Sequence, residues 1–327
     1  MKVLYVCIAL FLGSSISAMT QTIDKHIHES FKVEPGMRLL LKHGDGDVTI
    51  SPWEKNEIDI EIVYQARFSG VGNIEPDDFS VDFRRRDNEI RIEGREPNVR
   101  MGFGSYRVKE YSYTIKAPVY LALHIDGVDG DVRIDDWQQT LDLKTVDGDI
   151  QVHGVLADEV KVKSVDGTLE LIGIEAELHA KTVDGRLSID NSNMLRCYAK
   201  SVDGSISVAN SRGEFLLDTV DGDVDLDDVE ATRLESQSSD GSFRADLLKT
   251  DDFDGFIRTG DGHVRIRLQR GFSVRLDVRT GDGNIRTNLS ELEDVDEDKD
   301  RLRGSIHGGA GRLVVQTGDG NINLSER

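Results

Sequence analysis

The chain has 327 residues, of which 38% are hydrophobic and only 6% aromatic, and its formal net charge is −21 at pH 7. That length suits one long domain or two small ones. So acidic a surface repels nucleic acid and anionic lipid headgroups, and neither is an expected partner.

Residues 1–18 read as a signal peptide: Lys2 gives the positive start, Val3 to Gly13 the short apolar run, and Ser15, Ser17 and Ala18 the small residues for cleavage. The run is too short to span a bilayer, and no later stretch is apolar enough to be a transmembrane helix. The mature chain is therefore expected to be exported, to the periplasm or to the cell surface and medium. Cys7 leaves with the leader, so Cys197 is the one thiol of the mature chain, no internal disulfide forms, and its apolar register assigns it to the core.

Residues 19–122 read as an N-terminal β region. His26-Ile27-His28 offers two potential ligands from one strand face, yet it directly follows the cleavage site, where disorder is expected. Leu39, Leu41, His43, Asp45, Val48 and Ile50 set out one early structural rung over residues 37–50. Ser51 to Val119 then interrupts it with longer strands, at Glu57 to Gln65, Phe79 to Arg84, Glu89 to Glu93 and Arg107 to Lys116. These form a β cap over an end that would otherwise invite polymerisation. Within it, Arg84-Arg85-Arg86 reads as a solvated strand end and Met101-Gly102-Phe103-Gly104-Ser105-Tyr106 as a flexible loop.

From residue 123 onward one pair recurs. Asp129-Gly130, Asp147-Gly148, Asp166-Gly167, Asp184-Gly185, Asp203-Gly204, Asp221-Gly222, Asp240-Gly241, Asp261-Gly262, Asp282-Gly283 and Asp319-Gly320 follow at spacings of 18, 19, 18, 19, 18, 19, 21, 21 and 37. Counting each Asp as position zero, position +3 is always apolar, from Val132 and Ile150 to Ile322, and +5 nearly always, from Ile134 to Leu324. Positions −6 and −4 run from Leu123 and Ile125 to Leu313 and Val315, and polar residues fill the gaps. Period-two alternation on both sides of a turn means two short strands per repeat. Units of this size leave no room for a helical crossover, so the fold class is all-β: a parallel β-solenoid whose rungs stack at about 4.8 Å, about 45 Å for ten. The segment 290–311, acidic and then Gly-rich, is expected to be an exposed, mobile loop. Its Asp294, Asp296 and Asp298 imitate an EF-hand start, but Lys299 and Ser305 stand where Gly and Glu are needed.

Each corner repeats a basic residue, Ser or Thr, Val or Gly, then Asp-Gly, as in Lys144-Thr145-Val146-Asp147-Gly148. In this reading Gly supplies positive φ, and Asp, sharing the inward side with Thr145, Ser164, Thr182, Ser201 or Thr219, bonds the turn amides. Lys144, Lys163, Lys181, Lys200, Arg258 and Arg279 serve as counter-charges. A calcium ladder on Asp147, Asp166, Asp184, Asp203 and Asp221 is the alternative. The period differs from the nine residues of calcium-binding β-rolls, so no metal and no cofactor is assigned.

No nucleophile elbow, zinc helix or phosphate loop is present, and His43, His124, His153, His179, His263 and His307 are scattered, so no catalytic residue is assigned. The early rung, the strand ending in Ile115-Lys116-Ala117-Pro118, the serial Val-Asp-Gly corners, and Gly304 to Gly311 before a final Thr317-Gly318-Asp319-Gly320-Asn321-Ile322 rung resemble the bacterial family labelled putative adhesin. The resemblance spans nearly all of the mature chain. It implies an envelope-associated β-solenoid of uncharacterised function, and carries over no catalytic residue. The first expectation is thus a non-enzymatic envelope protein that presents its outward registers to an envelope protein, a surface glycan or another copy of itself. Those registers include Lys161, Lys163, Lys181, Lys200, Arg265, Arg267 and Arg286, with a positive stripe over rungs 258 to 286. The alternatives are a carbohydrate-active β-helix enzyme, which needs a cleft with paired carboxylates beside Arg or Lys, and a periplasmic sensor or scaffold.

Overall fold

A computed structural model describes residues 19–73, 79–97 and 100–327. The leader expected at residues 1–18 lies outside them. Among the described residues every regular element is a β-strand, all joined in one hydrogen-bonded network.

The repeats stack in parallel and in register. Leu123, Leu141, Val160, Leu178, Cys197, Phe215 and Leu234 follow one another across seven consecutive rungs. Val132, Ile150, Leu169, Leu187, Ile206, Val224, Phe243 and Val264 do the same on the second strands. Nearly all are fully buried, so the core is two facing aliphatic ladders, and each rung covers its neighbour's apolar side. Cys197 lies in the first ladder, where burial pushes its thiol up to about 12. Gly255, the one gap in that ladder, is filled by Phe253, whose ring would stand 2.5 Å from a Cβ built there.

Chain order and spatial order part company at the C-terminus. The Asp319 rung does not follow the Asp282 rung but inserts between it and the Asp261 rung, with Leu313 paired to Gly255 on one side and to Leu276 on the other. The expected loop at 290–311 is what displaces it. Strands Leu292–Asp298 and Arg301–Ile306 form an antiparallel hairpin, and the second lies antiparallel on Val274–Thr280. Leu302 and Ile306 are fully buried there. The hairpin closes one end of the rod, and the carboxylates of Leu292–Asp298 line its outer edge, where charge discourages further strand pairing.

The N-terminal region closes the other end. It contributes a further rung: Glu89–Arg95 and Arg100–Ala117 stack in parallel on the early-rung strands Arg38–Lys42 and Asp47–Pro52. Glu57–Asn73 then pairs antiparallel with Arg100–Ala117, and Met19–Lys32 with Glu57–Asn73. His26 and His28 therefore sit in a strand rather than a disordered start. Ile23 is buried and Ile27 and Phe31 half-buried, a period-two pattern that places both histidines on the exposed face. The 101–106 stretch is likewise strand, with Gly104 opposite Gly70 and Tyr106 opposite Phe68. Arg84-Arg85-Arg86 ends a strand and is exposed, as expected.

Candidate functional site

The Asp-Gly corners hold the rod together by a route that differs from the expected one. At Thr145-Val146-Asp147-Gly148 the amides of Val146 and Asp147 donate to the carbonyl of Val128 one rung below, at 3.0 and 2.9 Å. Thr145 Oγ1 donates to the same carbonyl at 2.9 Å and accepts from the Gly148 amide at 3.3 Å. The arrangement recurs at Ser164, Thr182 and Thr219. Val and Asp both point outward while Thr and Gly point inward, because the turn breaks strand parity. The carboxylates of Asp147, Asp166, Asp184, Asp203 and Asp221 are exposed, with no hydrogen-bond or ion-pair partner among the described residues.

The glycines are explained by proximity, not by positive φ. None of Gly130, Gly148, Gly167, Gly185, Gly204 or Gly222 adopts the left-handed region. A Cβ at Gly148 would instead lie 2.1 Å from the Gly130 carbonyl oxygen, and one at Gly185 2.0 Å from that of Gly167. Positive φ belongs to the opposite corner, seven residues after each of the first six Asp, from Asp129 to Asp221, where Asp136, Gly154, Gly173, Asn191, Asn210 and Asp228 all adopt it. These are the residue types that tolerate that conformation, and this register is readable in the sequence. Two residues after the corner Asp, a second ladder runs through side chains. Asp131, Asp149 and Thr168 donate their amides to the carboxylates of Asp47, Asp131 and Asp149 in turn.

The groove considered as the candidate site lies on the outward face of the first strands. Position −3 there holds Lys144, Lys163, Lys181 and Lys200 in four successive rungs. Position −5 holds Lys161, His179, Tyr198 and Leu216 over the rungs from Asp166 onward. A groove of about 400 Å³ runs between these two columns, over Ala180, Ala199 and Leu217. His179 and Tyr198 stack ring on ring, 4.7 Å apart and 15° from parallel, so their edges face the groove. The Arg196 guanidinium stands 5.8 Å from the Tyr198 ring and donates to its hydroxyl at 3.2 Å. His179 is held by Glu177 at 3.2 Å.

The lysines do not neutralise the corner aspartates. Lys144 pairs with Asp142 at 3.4 Å, Lys161 with Glu159 at 2.6 Å, and Lys200 with Asp218. Lys163 and Lys181 have no ion-pair partner among the described residues and are exposed. Of the carboxylates at the groove, Asp218 is tied to Lys200 and Glu235 to Arg233 at 3.2 Å. The stripe expected over 258 to 286 is split: Arg258 and Arg279 share the face of the lysines, whereas Arg265, Arg267 and Arg286 lie on the opposite sheet. Arg267 is bound to Asp246. Counting charges along the sequence finds the lysines but misses His179, Tyr198 and Leu216. Their signal is the −5 register passing from charged to ring-bearing and apolar residues at an outward position.

A capped parallel β-solenoid with hydrogen-bonded corners defines a class of repeat-built, all-β proteins. The chain belongs to the Toastrack DUF4097 family, whose model matches residues 37–215 and 196–325, beginning at the early rung and ending in the last. No curated protein matches the chain. Among solved structures it is similar to a putative adhesin from Parabacteroides merdae, at 12% identity and TM-score 0.48, covering 92% of this chain and 96% of that one. A putative adhesin from Bacteroides fragilis matches at 14% identity and TM-score 0.39 over 92% and 97%. A putative lipid binding protein from Parabacteroides distasonis matches at 12% identity and TM-score 0.43 over 91% and 96%. Among the described residues no helix is long and apolar enough to cross a membrane, and no group of three or more His, Cys, Asp and Glu gathers to hold a metal ion.

Proposed function

We propose that this protein is an exported, non-catalytic component of the cell envelope that uses the lysine-lined face of its solenoid to hold an extended partner. One observation carries the reading. In a chain of net charge −21, two unpaired lysines, Lys163 and Lys181, stand one rung apart along an open groove with an apolar floor. Charges left unpaired at a groove are available to an incoming anion, and a rigid parallel scaffold fixes their backbone spacing so that only the side chains are ordered on binding. A solenoid face also offers many equivalent weak contacts along one line.

The test is fractionation of the producing cell with protease shaving of intact cells. The expected result is a chain outside the cytoplasm, and cleavage on intact cells assigns it to the surface. Release only on opening the outer membrane assigns the same role to the periplasm. A chain found only in the cytoplasm contradicts the proposal.

A further inference from the structure

We infer that the groove's ligand is a short acidic oligosaccharide, of the uronic-acid class, lying along the rod axis; this rests on the binding role proposed above. The groove spans the rungs from Lys163 to Gln237, four rung spacings or about 19 Å, which suits an extended chain of several sugars better than one small molecule. Its two walls differ in chemistry. The wall of Lys163, Lys181 and Lys200 rises from backbone positions about 4.8 Å apart, the stacking interval of the rungs, with Lys200 paired to Asp218 and the other two ammonium groups open to the groove. The wall of His179, Tyr198 and Leu216 presents ring edges and an aliphatic surface. A pyranose carboxylate has the matching halves: apolar C–H faces for the second wall and the floor, and a carboxylate for the first.

The surroundings discriminate among anions. Outside the lysine wall runs the exposed column Asp166, Asp184 and Asp203, and beyond the ring wall runs Glu159, Glu177, Arg196 and Glu214, the last two paired at 3.1 Å. These flanking carboxylates disfavour a broad anionic surface such as a bilayer, which would meet all three columns at once within the roughly 8 to 10 Å reach of charge at physiological salt. They also disfavour a nucleic-acid strand, whose phosphates, one per roughly 3.4 Å, would meet the flanking carboxylates as well. A single chain seated between the walls meets Lys163 and Lys181, while the two carboxylates at the far end of the groove, Asp218 and Glu235, are already paired with Lys200 and Arg233.

The test is a calorimetric titration of the full mature chain with oligogalacturonate and with the same oligomer as its methyl ester, at low and at physiological salt. The comparison proteins are Lys163→Glu/Lys181→Glu and the milder Lys163→Ala/Lys181→Ala. Because both side chains are exposed, thermal melts should confirm intact folds for each. Saturable binding of the acid form is expected, weakened by about tenfold or more in the charge-reversed protein and absent with the ester. Equal binding of ester and acid, or unchanged binding by Lys163→Glu/Lys181→Glu, overturns the assignment. So does preference for inorganic polyphosphate or for phosphatidylglycerol vesicles over oligogalacturonate. A parallel arm measures binding to isolated envelope: loss there in the charge-reversed protein, without any oligogalacturonate binding, overturns the sugar class while leaving the groove's role standing.

Discussion

The imidazole of His43 lies over the α-carbon of Gly127: a Cβ built on Gly127 would stand 2.6 Å from His43 Nε2. Both residues occupy the position two before the corner Asp, where the other rungs carry the Ser or Thr that ties the corners together. In these two adjacent rungs a ring and a vacant side chain replace two hydroxyls. His43 is buried, 5% exposed, and neither ring nitrogen meets a hydrogen-bond partner at proper geometry among the described residues. Tyr113 packs against it at 5.8 Å.

Burial is the main reason the His43 imidazole titrates near 4 rather than 6.5, outweighing nearby Asp47 and Asp126, which favour the cation. The unfolded chain therefore binds the proton first, between pH 6.5 and 4, so stability is full above 6.5 and falls as pH drops through that window. The loss attributable to this residue is about 3 kcal/mol. Urea unfolding at a series of pH values, with His43→Phe as reference, should show a steeper acid decline in the natural chain. Parallel curves would refute the assignment.

Filling Gly127 tests the same pair from the other side. Gly127→Ala should destabilise by about 1 to 3 kcal/mol by overpacking the ring. The double change His43→Thr/Gly127→Thr, which restores the hydroxyl register, should be milder than the sum of the two singles.

Corner glycines should reject every side chain. Gly185→Ala and Gly185→Asn are each expected to lower stability by about 3 kcal/mol or more, because backbone oxygen occupies the Cβ site. At Gly173, where φ is +68 and nothing comes nearer than 3.5 Å, Asn should be tolerated. Tolerance of Asn at position 185 would return the corner to a positive-φ explanation.

Removing the exposed carboxylates should do no harm. Stacked charges about 5 Å apart repel by ~1 kcal/mol per neighbour in water, so Asp166→Asn/Asp184→Asn/Asp203→Asn is expected to melt no lower than the natural chain, and higher at low salt. EDTA should leave the melting temperature unchanged. A large fall in either experiment, reversed by calcium for EDTA, would establish a bound cation on this column.

The repeat spacing and the period-two alternation make the solenoid, its ladders and its two interruptions legible from the residues alone, because each inward register must be apolar for stacking to bury it. The direction of the Asp side chains is not legible in the same way, since the turn breaks the parity that alternation along a strand implies. Nor is the insertion of the Asp319 rung between its neighbours, because the 37-residue spacing reports how much chain intervenes and not where it returns. For the candidate site, the lysine column is visible by charge. The opposing wall is not, because His179, Tyr198 and Leu216 gain meaning only once three rungs place them side by side.

The most direct measurement compares two charge-matched proteins in one assay, binding of labelled protein to isolated envelope. Lys163→Glu/Lys181→Glu alters the groove; Arg265→Glu/Arg286→Glu makes the same charge change on the opposite sheet, where both arginines are exposed without ion-pair partners among the described residues. Loss of binding in the first and retention in the second is the expected result. Loss only in the second, or equal loss in both, would contradict the placement of the binding face.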